Sequence, residues 1–564
     1  MALNLKKIFE NSVNFLSKHK LLIFIIFISL VLNIVNLEGN PVALNQDEST
    51  NGYDAFSLGK TLHDYHGNFL PFMLESYGDW ASPLLTYLTI PFVLSLGLSN
   101  FSIRLPVAIL GSLSVLLLYL VLQKLLKDRR VSILGSFIYA ISPWLITFSR
   151  WSVPPSIVPF FSLLFILSIV NLTQEQSQKP KAENQSLITK ALNIIFMGVS
   201  AALLTYTYPT LKLFVPMIFA GVFFIFLKKL YKEIILSGIL YTILVSPIYI
   251  LTLLDPLKYN GRYNSVSIFV NDPNPFVGAI LRYLSYYTPY LYFGAGDLSM
   301  YHHVQGYPAM FEFLAPFLYL GALLLFLKAS WIKESGKYVS AKNVFNYLAG
   351  LLPFSKSIAR VLALWILLFP IAASITMDYF ITNRALQGFA VLSLTIIFGI
   401  YGLFKMVTDY LADNKIEKMK PFILNLFTSL MIVFGVLGAT NFQTIYHFQY
   451  REASKKSWNY GIKEGFDFLK QNEANFDEVL IDNRINTPDI LFHLKYDPAK
   501  LLQTPKPEKF KAYGKYTRAN IKQYKTTSFE IKYQVIDTKD DKIENVWVTV
   551  GEISPRKWIL IYKD

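Results

Sequence analysis

Over the first 440 residues, long uncharged stretches alternate with short connections rich in lysine and arginine. A helix needs about 20 apolar residues to cross the hydrocarbon core of a bilayer. Eleven stretches approach that length: Leu21 to Leu37, Leu105 to Gln123, Val131 to Ser149, Trp151 to Gln174, Ala191 to Leu211, Leu213 to Leu227, Ile234 to Leu254, Phe313 to Leu327, Val361 to Met377, Ala385 to Phe404 and Phe422 to about Asn441. They predict a mainly α, polytopic membrane domain over residues 1–440, with about eleven transmembrane helices. Another uncharged run, Trp80 to Ile103, is broken by Pro83, Pro91 and Gly97 and is expected to lie in or dip into the outer interface. Residues Thr50 to Tyr65 can form an amphipathic helix, with Ala55, Phe56, Leu58, Gly59 and Leu62 on one side.

The pattern changes near residue 441, where the last 124 residues carry 21 basic and 17 acidic groups. Phe476 to Ile481, Phe529 to Ile536, Val546 to Val550 and Trp558 to Tyr562 are rich in β-branched and aromatic residues, as strands are, and Trp458 to Leu469 has helical spacing. A small soluble α/β domain is therefore expected over 441–564.

Composition sharpens the class. Of 564 residues, 53% are hydrophobic and 16% charged, against about a quarter charged in an average globular chain. The net charge of +15 is dispersed between apolar segments, without the basic stripe of a nucleic-acid-binding surface. With no cysteine, disulfides, thiolate metal sites and cysteine nucleophiles are excluded.

Positive residues in short loops stay on the cytoplasmic side. With eleven crossings and a cytoplasmic N-terminus, one side receives 24 lysines and arginines, among them Lys6, Lys7, Lys18, Lys124, Lys127, Lys179, Lys181, Lys229, Lys333, Lys337 and Lys342. The other receives eight before the C-terminal region: Lys60, Arg104, Arg150, Lys212, Lys258, Arg262, Arg282 and Arg384. Counting Trp80 to Ile103 as a crossing would scramble this order. The first loop (38–104), the long loop 255–312 and the C-terminal domain are thus expected outside the cytoplasm, in a multi-pass protein of the cell membrane. The first hydrophobic segment runs into Glu38 and Asn40 with no small-residue cleavage site, and reads as a retained anchor.

Candidate chemistry sits on the outer side. Asp47 and Glu48 follow the first crossing, and such a pair can serve as a general base with a neighbouring cation or hydroxyl ligand. The same residues suit the first turn of a helix, where acidic side chains meet the helix dipole, and both readings stay open on composition. Arg150, Lys212 and Arg384 are lone cations at outer helix ends; they could bind a phosphate or snorkel to headgroups. Asp297, His302 and His303 are close enough in sequence to suggest a metal, but spacing supplies no third strong ligand, so a divalent metal is possible and unsupported. Lys506, Lys509, Lys511, Lys515 and Arg518 read as a solvated face or a patch touching headgroups.

Several segments together resemble the C-type membrane glycosyltransferases (GT-C fold), in the bacterial group akin to protein O-mannosyltransferases and the lipid A aminoarabinose transferase. They are Asn45-Gln46-Asp47-Glu48, Gly67 to Pro71, Phe101 to Pro106, Ser142-Pro143-Trp144 through Arg150, Tyr208 to Pro216, Gly296-Asp297 to His302, and Thr382 to Leu386, and the likeness runs over most of residues 20 to 440. The resemblance implies transfer of a sugar from a polyprenyl-phosphate donor to a protein, glycolipid or cell-wall acceptor on the outer leaflet. It assigns the catalytic aspartate to Asp47, with Glu48 beside it, and phosphate binding to Arg384, Lys212 and Arg150. Relatives often carry arginine where this chain has Lys212, after the stretch containing Tyr208, so the charge is kept without the bidentate fork. No cofactor is implied, in keeping with the lack of a glycine-rich phosphate loop. A lipid or sugar transporter, or a non-catalytic assembly protein, fits less of the pattern, because the polar residues concentrate in outer loops instead of at mid-membrane.

Overall fold

The structure, a computed structural model, describes residues 19–76, 79–175, 183–330, 343–455, 457–505, 510–521, 530–537 and 545–562. Lys6, Lys7, Lys18, Lys179, Lys181, Lys333, Lys337, Lys342, Lys506 and Lys509 fall outside these residues, as does Phe529. The chain divides into two compact units.

The first unit comprises Met1–Val35, Val107–Ser149 and Pro154–Thr444. Eight helices in the described chain are long and apolar enough to cross a bilayer, and each overlaps one of the expected segments. Two further expected crossings fall in 16-residue helices, His19–Ile34 and Leu211–Phe226, which span about 24 Å at 1.5 Å per residue. The expected crossing from Val131 to Ser149 is instead divided into Arg129–Ala140 and Pro143–Phe148. The break has a local cause: Pro143 lacks an N–H and sets Ser142 in extended backbone. Helices Tyr231–Leu254 and Lys420–Thr444 leave Ile239, Ile243, Leu430, Val433 and Leu437 exposed, faces suited to lipid. This is a multi-pass membrane protein.

Within this unit Ala315–Ala329 and Leu386–Asp413 approach backbone to backbone. A Cβ on Gly321 would meet the Thr395 carbonyl, and one on Gly399 the Phe317 carbonyl. Small residues at such crossings let dispersion contacts replace the hydrophobic drive that lipid does not supply. Trp365 is fully buried nearby, its Nε1 donating to the Gln387 carbonyl at 2.8 Å.

The second unit comprises Asn36–Pro106, Arg150–Val153 and Ile445–Asp564. Packing therefore groups the first loop with the C-terminal residues, whereas composition groups it with the membrane region. A six-stranded sheet runs in the order Ala512–Tyr513, Tyr516–Ala519, Glu478–Asp482, Lys557–Tyr562, Asn545–Ser554, Glu530–Asp537. Glu478–Asp482 is parallel to both its neighbours, and the other pairs are antiparallel. Helix Ile462–Gln471 buries Phe466 and Leu469 in a core shared with Val479, Ile481, Val548 and Leu560.

Helix Gln46–Thr61 of the first loop packs into the same core through Tyr53 and Ala55. Its apolar side meets helix Thr487–Leu494, and Tyr53 donates its hydroxyl to the Tyr496 carbonyl at 2.8 Å. Gly52 is required by this approach, since a Cβ would lie 2.7 Å from the Phe492 ring and 2.8 Å from Ile103. The run expected at the interface forms helix Leu84–Leu96, whose 13 residues rise about 20 Å, short of a crossing.

Candidate functional site

In the second unit, helix Gln46–Thr61 begins four residues earlier than the pattern from Thr50 suggested, because Asn45 caps it. The Asn45 side chain accepts from the Glu48 N–H at 2.9 Å, and the Glu48 carboxylate accepts from the Asn45 N–H at 3.4 Å, a reciprocal capping box. Asp47 and Glu48 are adjacent in sequence but live in opposite surroundings. Asp47, in the first helical turn, is exposed, whereas Glu48 is 0% exposed.

Arg104 explains the burial of Glu48. Its Nε and Nη2 donate to the Glu48 carboxylate at 2.8 and 2.9 Å. Its remaining N–H groups reach the carbonyls of Leu37, Pro41 and Ala43 at 3.1, 2.9 and 2.5 Å. All five guanidinium donors are thus satisfied. Glu48 also accepts from the Ser152 N–H at 3.0 Å. The pair is a clamp that ties the start of the helix to the segment leading into it.

Arg150, expected among the phosphate ligands, is 0% exposed. It donates to the carbonyls of Asn36 and Asn40 at 3.2 and 2.8 Å and lies 5.4 Å from the Tyr446 ring. It is a buried cation held by carbonyls and an aromatic face, not a headgroup contact.

Asp489, which sequence reasoning did not single out, lies on helix Thr487–Leu494 and is 2% exposed. Its Oδ2 has no hydrogen-bond partner among the described residues. Burial pushes its carboxyl up to about 6, and the charge of Asp47 adds to the rise. At the same helix junction Asn486 Nδ2 donates to Gln46 Oε1 at 3.2 Å. Lys515 and Arg518 of the basic C-terminal run are spent on their own domain, donating to carbonyls of Glu473 and Phe476 and of Asn483 and Ile485.

In the first unit, the remaining candidates gather around the segment from Thr376 to Arg384. Asp297 is 1% exposed; its Oδ2 accepts from His302 Nδ1 at 2.8 Å and from the Thr382 N–H at 2.6 Å, and its Oδ1 from the Ser299 N–H at 2.8 Å. Burial opposes its charge, but the His302 imidazole and these donors outweigh it and hold the carboxyl below the usual range. His302 stacks on Phe148 at 6.3 Å. Burial lowers the tendency of His303 to take a proton, and its Nε2 has no hydrogen-bond partner among the described residues. The turn depends on Gly296, whose φ is +72° and whose absent Cβ would run into the His303 ring.

Arg384 donates to Thr376 Oγ1 at 2.5 Å and pairs with Asp378 at 2.8 Å. Burial makes the Tyr286 hydroxyl harder to ionise, and the Arg384 charge opposes that effect. The Thr210 hydroxyl donates to the Arg384 carbonyl at 3.5 Å, and the Tyr249 hydroxyl to the Lys212 carbonyl at 2.6 Å. Tyr208 and Lys212 are both half-buried. The long loop is stitched to this segment by Arg282, which donates to the Met377 carbonyl at 3.1 Å and pairs with Asp272 at 2.9 Å. Thr376 and Asp378 were missed in the sequence, where nothing but nearness to Arg384 marks them, and Thr382, within a segment that carries the resemblance, was given no role. Among the described residues, no group of three or more His, Asp or Glu side chains is placed to hold a metal ion.

Residues 21–266 match the family model described as dolichyl-phosphate-mannose-protein mannosyltransferase. No curated protein sequence gives a significant match. Among solved structures, the chain is similar to ArnT from Cupriavidus metallidurans in the apo state, with TM-score 0.52, 10% identity and 85% of each chain covered. ArnT from the same organism bound to undecaprenyl phosphate gives TM-score 0.50 and 11% identity over 87% of this chain and 89% of that one. The archaeal oligosaccharyltransferase AglB from Archaeoglobus fulgidus, in complex with an inhibitory peptide and a dolichol-phosphate, gives TM-score 0.52 and 15% identity over 88% of this chain and 61% of that one. Identities this low speak for the architecture alone. The chain therefore has the fold of the C-type membrane glycosyltransferases, and over residues 21–266 it carries the sequence pattern of the dolichyl-phosphate-mannose-protein mannosyltransferase family.

Proposed function

We propose that this protein is a membrane glycosyltransferase that moves a sugar from a polyprenyl-phosphate donor to a hydroxyl- or amine-bearing acceptor outside the cytoplasm. The observation that carries the reading is the family match over residues 21–266, which spans Asp47 and Lys212. The ligands named for the similar structures, undecaprenyl phosphate and dolichol-phosphate, are of the donor's lipid class.

In this mechanism the acceptor oxygen or nitrogen attacks the anomeric carbon, and the bond from that carbon to the phosphate oxygen breaks. The electron pair leaves with polyprenyl phosphate, and the acceptor's proton passes to the Asp47 carboxylate. Asp47 stands in the first turn of a helix, where the dipole favours the ionised form that a base needs. The Glu48–Arg104 clamp and the Asn45 cap keep that turn from moving, so Glu48 acts by positioning. Arg384 and Lys212 are assigned to the phosphate, whose negative charge grows as the bond to the sugar breaks. Arg384 has Nη1 engaged by Thr376 and Nη2 by Asp378, which leaves further N–H groups of its five for a phosphate oxygen.

Proteoliposomes loaded with a radiolabelled polyprenyl-phosphate sugar test the proposal when offered a panel of protein, glycolipid and cell-wall acceptors. Transfer consumes donor and labels an acceptor, whereas a transporter redistributes the label with the donor intact. Redistribution without donor consumption would overturn the reading.

A further inference from the structure

The first unit contains a cavity of about 460 Å³ that the proposed transfer does not use, within the range of about 300–1,000 Å³ typical of small-molecule sites. It opens among helix ends whose lysines belong to the basic side of the chain. Lys124 comes from the last turn of Asn100–Leu126, Lys127 from the turn that follows, and Lys229 from the connection into Tyr231–Leu254. No carboxylate lines the cavity among the described residues. The adjacent acid, Asp128, is committed to its own helix, where it accepts from the Val131 N–H at 3.1 Å.

Lysines at helix ends on this side are ordinary, and alone they would mean only solvated charge. The shared cavity changes the argument: Lys124 is half-buried and Lys127 and Lys229 are exposed, yet all three line one space. The same lining is partly apolar, with buried Leu125, Phe226 and Phe354. Ser355 and Ser357 stand at the start of the 13-residue helix Lys356–Leu368, whose positive dipole end favours an anion, while the Ser355 hydroxyl already caps the Ile358 N–H. Lys124, Lys127 and Lys229 bring three positive charges to one lining, which favours an anion among them. An apolar wall beside the charges suits a ligand that carries hydrocarbon next to its anionic group. Basic pockets between transmembrane helices take phospholipid headgroups for this reason.

We propose that this cavity binds the phosphate group of an anionic phospholipid, held by Lys124, Lys127 and Lys229 with its glycerol and upper acyl chain against Leu125, Phe226 and Phe354. The proposal is independent of the transfer reaction.

Native mass spectrometry of the full chain in a delipidating detergent tests it, with phosphatidylglycerol, phosphatidylcholine and inorganic phosphate as probes. The wild type is expected to retain phosphatidylglycerol at least five-fold more than phosphatidylcholine. The triple variant Lys124→Gln, Lys127→Gln, Lys229→Gln should fall to the phosphatidylcholine level, and the corresponding triple arginine variant should keep the preference. Inorganic phosphate at millimolar concentration should displace only part of the lipid, because it lacks the apolar contacts. Full displacement would assign the cavity to soluble phosphate and overturn the lipid proposal. Equal retention of the two lipids by the wild type would overturn it as well. So would an equal loss of preference in the control Lys415→Gln, Lys418→Gln, Lys420→Gln, which removes three basic-side charges away from the cavity. Melting curves recorded on each variant show that the comparison is made on folded protein.

Discussion

Replacing Asp47 and Glu48 one at a time should separate chemistry from support. In Glu48→Gln the buried Arg104 guanidinium loses its counter-charge while its surroundings stay closed to water. Removing one partner of a buried ion pair costs about 3–5 kcal/mol. The carboxylate also accepts from Ser152 and Asn45, one bond to each oxygen, so turning one oxygen into NH₂ leaves a buried N–H unpaired at about 1–3 kcal/mol. These costs overlap, and a net loss of roughly 4 kcal/mol is expected. At about 2–4 °C per kcal/mol for a unit of 150–250 residues, the melting temperature should drop by about 10 °C. In Asp47→Asn an exposed side chain gives up its dipole interaction, about 0.3–1 kcal/mol. Its melting temperature should move by about 3 °C or less, while sugar transfer falls to background. Intrinsic-fluorescence melting in detergent and the proteoliposome transfer assay read the two quantities on the same preparations. An unchanged melting temperature for Glu48→Gln, or full transfer by Asp47→Asn, would refute the division of roles.

Three further changes probe the rest of the candidate residues. Asp489 has a folded pKa raised from 3.8 to about 6, so the native state holds a proton that the unfolded chain has lost, and stability falls as pH rises through that window. The loss is about 2 kcal/mol between pH 4 and 7, so Asp489→Asn should gain stability relative to wild type by about that amount over the interval, and a pH-independent difference in denaturant titrations would contradict it. Gly296→Ala must place a Cβ against His303 at φ +72°, costing about 1–3 kcal/mol by overpacking; because the next residue, Asp297, holds the Thr382 N–H close to Arg384, transfer should fall together with the melting temperature. Arg384→Lys keeps the charge but loses the fork, which predicts a several-fold rise in KM for the polyprenyl-phosphate sugar at an unchanged melting temperature, and an unchanged KM would remove Arg384 from donor binding.

Segments that cross a membrane were legible because lipid imposes one rule on the whole length of a helix: apolar residues outward and no unpaired backbone. Tyr231–Leu254 and Leu386–Asp413 satisfy it without help from distant residues. The break at Ser142-Pro143 was written in the sequence as well, but hydropathy alone reads through a proline. Within the candidate site, Asp297 with His302 could be paired because five residues separate them. Arg104 could not be matched with Glu48, 56 residues away, nor Thr382 with Asp297, 85 residues away. A lone arginine reads the same whether it faces a headgroup or fills a closed pocket, which is why Arg150 was grouped with Arg384.

The first loop and the C-terminal residues carry the more general point. Composition draws a boundary where the chain leaves the lipid, but packing draws one where apolar surface finds a partner. Tyr53 and Ala55, on the helix that bears Asp47, share their core with Tyr65, Val93 and Ile103 of the first loop, but not with these alone. They are buried with Phe466, Ile490 and Leu491, more than 400 positions later, and Gly52 lets the Phe492 ring come close enough to seal the contact. It follows that the C-terminal domain helps to hold the helix bearing the proposed base, even though none of its residues is assigned to the reaction. Gly52→Leu, which pushes against Phe492 and Ile103, should loosen that helix and lower transfer without touching a charged group. Hydrogen exchange should show the loss of protection in Gln46–Thr61 and Thr487–Leu494 together, because each supplies the other's missing face. Loosening confined to one of the two helices would mean that they do not share a core.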